Sequence, residues 1–376
     1  MVCGGCEASL NALGRDELML PYWLLFMIPA WNALHQRRMS EMVCFSPREA
    51  RIWRGIFWLL VLMVGFRYHV GGDWYTYELH LSNAANLSLG EGMALKGDPA
   101  YGLLNWLAAR WGGVLLANVV CGLVFAWGLV AFCRVQPRPW LALTVAVPYL
   151  ITVVGMGYTR QGAAVGLEML GFVTLGAGRL WRYLLLIGCA ALFHKSAVVM
   201  APMALLAASR HRFLTMLLVG LMAFVLYRLM LEDSMDRLIH GYIDAGYSSS
   251  GAAIRVAMNA LPAGLFLLFR RRFELSPAER GFWTLMALSA LGFVVLLNVL
   301  ASSTAVDRVA LYWIPLQLFV WSRIPDVLWH WGGSKKVWNV AVVAYSGVVH
   351  FVWLNYADHA RYWLPYQFYP WVAFWE

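Results

Sequence analysis

Charge is what this chain has least of. Only 13% of its 376 residues are Asp, Glu, Lys or Arg, while 61% are hydrophobic. A soluble domain carries about 25% charged residues, and apolar runs recur along the whole sequence. The two or three soluble domains that the length would otherwise suggest are therefore excluded. A single membrane-embedded domain over 1–376 is expected instead.

Cysteine is scarce as well, with 6 in all. Cys121, Cys133 and Cys189 lie within apolar runs and read as packing residues. Cys3 and Cys6 form a lone Cys-x-x-Cys with no second pair, which suits a disulfide or an inert end better than zinc. The first apolar run, 19–31, follows Glu7, Asp16 and Glu17 and precedes no small-residue cleavage site, so it does not read as a signal peptide. The net charge of +9 comes without a basic arm or RNA-binding motif, so no nucleic acid partner is expected. No nucleotide loop, zinc-ligand pattern, nucleophile elbow or internal repeat stands out, and neither metal nor cofactor is expected.

What the sequence has in abundance is apolar runs and aromatic residues, including 20 Trp and 17 Tyr that suit two interfacial belts. The runs predict an all-α polytopic protein of about twelve membrane helices, near 19–35, 52–67, 112–133, 139–157, 160–178, 183–193, 195–208, 213–231, 252–269, 281–301, 308–322 and 337–354. Several are shorter than the ~20 residues of a straight span and are expected to be partial or re-entrant. Six basic clusters, from Arg37/Arg38 through Arg323/Lys335/Lys336, assign their loops to the cytoplasm by the positive-inside rule. Both termini then lie outside. So do the segment 68–111, with short interfacial helices such as Pro99–Arg110, and the aromatic tail 355–376.

This orientation constrains 183–208. Arg182 and Arg210 share the cytoplasmic side only if the run between them enters the membrane and returns; the plainer alternative is that one loop departs from the charge rule. The polar pair His194-Lys195 is the natural turning point. An arm of eleven residues rises only ~16 Å, which leaves His194 at membrane depth, where it must line a protein or water-filled cavity.

On the outer side stand four arginines at helix ends: Arg67, Arg160, Arg255 and Arg308. Snorkelling to headgroups accounts for one or two. Four on the side where positive charge is scarce favour a shared anion site, since guanidinium matches phosphate oxygens bidentately. Asp73 follows Gly71-Gly72 and could pair with an arginine or act as a base; a tight turn with an Asp–Arg pair is the plainer reading. His194 is the strongest candidate base, because imidazole accepts a proton near neutral pH. Tyr75, Tyr77, Tyr247 and Gln161 are candidate sugar contacts. A catalyst on the outer face has no nucleotide supply, so its donor must arrive pre-activated, as a lipid-linked diphosphate sugar does.

Four motifs in order, FRYHVGGDWYTY (66–77), GYTRQGAAVG (157–166), LFHKSAVVMAP (192–202) and TAVDRVALYW (304–313), resemble the EpsG family of Wzy-type bacterial polysaccharide polymerases over roughly 20–365. The resemblance implies a fold similar to C-type membrane glycosyltransferases, residence in the inner membrane and a periplasmic active site. It implies O-antigen, capsule or exopolysaccharide synthesis from undecaprenyl-diphosphate-linked oligosaccharide donor and acceptor, amid membrane lipid and with room for a chain-length regulator. The arginines would hold the donor diphosphate, and His194 or Asp73 would deprotonate the acceptor hydroxyl. The alternatives are an O-antigen ligase, a transferase using polyprenyl-phosphate sugars, and a lipid-linked oligosaccharide flippase. A ligase would carry a larger late outer loop than 302–307, and a transporter would carry repeats.

Overall fold

The computed structural model describes residues 15–36, 46–94, 98–208, 251–299, 303–331 and 333–375. In chain order the helices are α1 (Arg15–His35), α2 (Pro47–Gly65), α3 (Trp74–Ala85), α4 (Leu89–Ala94), α5 (Pro99–Trp111), α6 (Gly113–Arg134), α7 (Pro139–Ala146), α8 (Thr159–Gly176) and α9 (Leu180–Phe193). They continue as α10 (Ala201–Ala208), α11 (Ala252–Phe269), α12 (Pro277–Val299), α13 (Ser303–Ala310), α14 (Ile314–Trp321), α15 (Ile324–Leu328), α16 (Lys335–Tyr356) and α17 (Tyr369–Trp375). Two short strands, β1 (Arg67–Tyr68) and β2 (Gln367–Phe368), pair antiparallel.

The protein is an all-α membrane protein. Of the expected dozen membrane helices, α6, α11, α12 and α16 are long and apolar enough to cross by length and composition; 139–155, 180–193 and 195–205 are shorter apolar segments. The run 213–231 lies outside the described residues. The run 308–322 is not one helix: α13 and α14 are separated by a 3-10 turn, Leu311–Trp313. The run 139–157 leaves α7 as a π-helix over Val147–Gly155. Pro148 has no N–H to give to Thr144 and its ring crowds that carbonyl, so the α ladder cannot continue there.

The segment 183–208 reverses direction. His194 ends α9 in an extended conformation, a 3-10 turn (Lys195–Met200) follows, and Tyr183 OH donates to Met200 O at 2.5 Å. A straight helix would put about 25 Å between residues 183 and 200. The two arms therefore lie side by side, with His194 at the tip.

Helix spacing is set by small residues. A Cβ on Gly128 of α6 would stand 1.8 Å from Gly166 O of α8, and one on Gly166 would stand 2.7 Å from Phe125 Cα. The two backbones touch, the arrangement small residues permit between membrane helices. Polar ties then fix each end of the bundle. At one end Arg67, buried to 1% exposure, binds Val64 O, Val70 O, Asn118 Oδ1 and Thr159 Oγ1, joining α2, α6 and α8. At the opposite end Arg138 pairs with Asp326, Lys335 lies 3.1 Å from Asp326, and Arg323 donates to Gln136 at 2.5 Å. Alongside, α1 and α16 run antiparallel: Asn339 donates to Ala33 O at 2.6 Å, and His350 meets Tyr22 O at 3.3 Å.

Candidate active site

The site forms at the Arg67 end of the bundle. Its first wall is the turn between β1 and α3. Gly71 has φ +111° and its Cβ would stand 2.8 Å from Met156 O, so only glycine fits. Gly71 N–H donates to Tyr362 O at 2.8 Å, and β2 pairs with β1. The C-terminal tail thus holds the turn that presents Asp73. Burial pushes the Asp73 carboxyl up from its ordinary value, and the charges of Arg308 and Arg160 pull against that shift.

The second wall is the start of α8. Arg160 donates to Asp98 Oδ2 at 2.6 Å, with its side chain 24% exposed, and its guanidinium faces the Tyr101 ring at 5.6 Å. Asp98 also accepts the Lys195 N–H at 3.0 Å, so one carboxylate ties α5, α8 and the hairpin tip together. Burial raises the Asp98 carboxyl, against the pull of Arg160 and the Lys195 N–H.

The third wall comes from α13. Arg308 lies over the Tyr158 ring at 4.3 Å, and its guanidinium makes no hydrogen bond or ion pair among the described residues. Gln161 donates to Arg308 O at 2.7 Å, which fixes the backbone at that point. Neighbouring Arg255 is bound bidentately by Asp307 at 2.5 and 2.7 Å.

His194 closes the base. Ser196 Oγ lies 2.6 Å from His194 Nδ1 and 3.1 Å from Tyr312 OH. Three buried polar atoms around these walls have no hydrogen-bond partner among the described residues: Arg160 Nε, Gln161 Oε1 and Tyr149 OH. Tyr149 stands on the π-helix, an irregularity that is frequent at functional sites.

The four arginines therefore divide. Arg160 and Arg308 both stand within electrostatic reach of Asp73 and His194. Arg67 spends its donors inside the protein, and Arg255 is balanced by Asp307. Tyr75 is 69% exposed, whereas Tyr77 is buried edge-on to Tyr101 at 6.1 Å, which leaves no open face for a sugar. Tyr247 lies outside the described residues.

Sequence reading missed Asp98, Tyr149, Tyr312 and Glu168. Asp98-Pro99 carries the signature of a helix start, which hid its second role. The signal that could have found Glu168 is that it is the one acid within the run 160–178.

No curated protein and no solved structure matches the chain. A family model does, over residues 51–368, a range that spans the Asp73 turn, Asp98, both cleft arginines, the hairpin and β2. On that match, the chain belongs to the EpsG family of Wzy-type polysaccharide polymerases.

Proposed function

We propose that the cleft joins oligosaccharide repeat units carried on undecaprenyl diphosphate, at the periplasmic face of the inner membrane. The observation that carries this reading is the guanidinium of Arg308, which makes no hydrogen bond or ion pair among the described residues, beside the partly committed guanidinium of Arg160. A half-buried guanidinium whose donors are not taken up is costly, and an anionic ligand that accepts from them offsets that cost. A diphosphate matches two guanidinium forks.

In this mechanism Arg308 and Arg160 hold the donor diphosphate and stabilise the negative charge that grows on it as the glycosidic C–O bond breaks. The acceptor hydroxyl oxygen bonds to the same carbon and gives its proton to His194. Nδ1 of His194 faces Ser196 and Tyr312, which leaves Nε2 for the acceptor. Asp73, on whose carboxyl both arginines act electrostatically, accepts hydrogen bonds from sugar hydroxyls. Tyr75 offers an exposed ring to the growing chain. Arg67 positions the site by pinning Thr159, the residue before Arg160. Arg255 orders α13 through Asp307.

The test is to incubate protein in nanodiscs with the lipid-linked repeat unit of its own organism, without nucleotide or metal, and to resolve products on a gel. A ladder that disappears in Arg308→Ala and Arg160→Ala supports the reading. A ladder that both variants reproduce at wild-type yield sinks the anion site; absence of any ladder with the native lipid sinks the polymerase.

A further inference from the structure

The end of the bundle away from the cleft holds a cavity of about 380 Å³. It is bounded by the last turns of α6 and α8, the first turns of α12, Phe319 of α14 and Ala204 of α10. Both α6 and α12 are long and apolar enough to cross a membrane, and the cavity lies at the end of one and the start of the other. That is the depth at which acyl chains give way to headgroups.

The interior is apolar. Phe132, Phe172, Phe282, Trp283 and Phe319 line it, none more than 5% exposed. The rings hold one another in place: Trp283 stacks on Phe319 at 3.8 Å, and Phe172 meets Phe282 at 5.3 Å. An apolar cavity of about 150 Å³ stays dry and takes up a small apolar molecule. A space more than twice as large, at the edge of a bilayer, suits the hydrocarbon that the bilayer supplies.

The rim carries charge of one sign. Arg323 borders the cavity, its guanidinium 3.9 Å over the Phe319 ring and donating to Gln136 Oε1 at 2.5 Å. Arg134 adjoins the lining residue Val135, Arg280 adjoins Glu279, and Arg179 stands two residues beyond Ala177. Glu279 is the one acid among the described lining residues, and its Oε2 is taken up by Ser276 N–H and Oγ at 3.0 and 2.7 Å. Basic residues at this end also follow from the positive-inside rule. What singles these four out is that they flank one apolar cavity, and guanidinium matches phosphate oxygens.

We propose that the cavity is a lipid site, in which one acyl chain of an anionic phospholipid lies against the five rings and its phosphate is held among the arginines. The lipid braces α8 against α12, whose ends meet here: a Cβ on Gly176 would stand 3.8 Å from Glu279 Oε1. The inference is independent of the polymerase reading.

The experiment is native mass spectrometry of the full chain released from nanodiscs of equal phosphatidylglycerol and phosphatidylethanolamine, with melting followed in detergent as each lipid is added. Expected is one phosphatidylglycerol that survives removal of the other lipids, and a melting temperature that rises with its concentration, since a ligand of the folded state stabilises by mass action. Ala204→Phe puts a ring into the cavity and should abolish retention. Arg179→Ala and Arg280→Ala alter exposed residues and cover the case that the phenylalanine variant fails to fold. Each should lower the preference for phosphatidylglycerol over phosphatidylethanolamine about fivefold, the contribution of one basic residue to anionic-lipid attraction. No retained lipid in wild type would mean that the protein closes the cavity itself, and overturns the proposal. So does retention unchanged in a folded Ala204→Phe, or a lipid preference that neither arginine variant moves.

Discussion

Gly128 on Gly166, the tightest of the glycine contacts among the described residues, gives the sharpest test of how the site is held. In Gly128→Ala the new methyl would stand 1.8 Å from Gly166 O, and ordinary contact begins at 3.4 Å. The obstacle is backbone, so no side chain can rotate away. The two helices must part by about 1.6 Å, or tilt to achieve the same locally. Overpacking of a well-packed interior costs roughly 1–3 kcal/mol, and the upper part of that range applies because helix backbone has to move. The catalytic cost should be comparable to the thermodynamic one. Asn118 on α6 and Thr159 at the start of α8 share the Arg67 guanidinium, so moving one helix carries Arg160 with it. Misplacing a catalytic group by about 1 Å can cost 10²-fold in rate. A lower melting temperature in detergent and a polymer yield reduced on the order of 10²-fold are expected. Gly188, with nothing within 4 Å of its Cβ, is the control, and Gly188→Ala should be silent. Gly128→Ala with wild-type melting and yield would refute the contact between α6 and α8 and the positioning argument built on it.

Three further outcomes are expected. Asp73 has a raised folded-state pKa, so its ionisation above that value weighs against folding, and stability falls as pH rises through the window between the unfolded and folded values. Asp73→Asn should therefore melt higher than wild type at neutral pH, the gap closing below the ordinary carboxylate range; an equal gap at every pH would contradict this. Asp98→Asn keeps an acceptor for the Lys195 N–H and loses the charge facing Arg160. Part-exposure of Arg160 moderates the loss to roughly 1 kcal/mol, so activity should fall about fivefold with little change in melting; loss of folding would show that Asp98 holds the hairpin instead. Arg67→Met strands the acceptors it serves and should cost about 3 kcal/mol or more, lowering melting and activity together. Arg308→Ala should abolish activity with melting unchanged, and a reversal of that contrast would exchange the two roles.

Much of this was legible in the chain, for reasons that can be named. The hairpin at His194 followed from the basic residues on either side of a run too long for one arm and too short for two spans. That Arg160 and Arg308 come near Asp73 could be expected from motifs that set each of them at the end of an apolar run. The division among those arginines was not legible, because Arg67 and Arg308 have the same local setting, each at the edge of an apolar run. Only the fold brings Asn118 and Thr159 to Arg67 and leaves Arg308 over Tyr158. Tyr77 failed as a sugar contact for a similar reason: in the string WYTY it cannot be told from Tyr75, and it is α3 that turns one ring inward and the other out. Asp98 depends on partners 62 and 97 residues away, beyond any local pattern.

The pairing of β1 with β2 bears on when the enzyme comes into being. Arg67 and Tyr68 lie against Phe368 and Gln367, and Gly71 hangs on the Tyr362 carbonyl. A nascent chain that has reached Tyr356 already contains every residue assigned to the cleft. It still lacks the strand that fixes the Asp73 turn. The Asp73 turn is therefore fixed only after residues 362–368 have been synthesised, and a ribosome that stalls before them leaves the turn without its support.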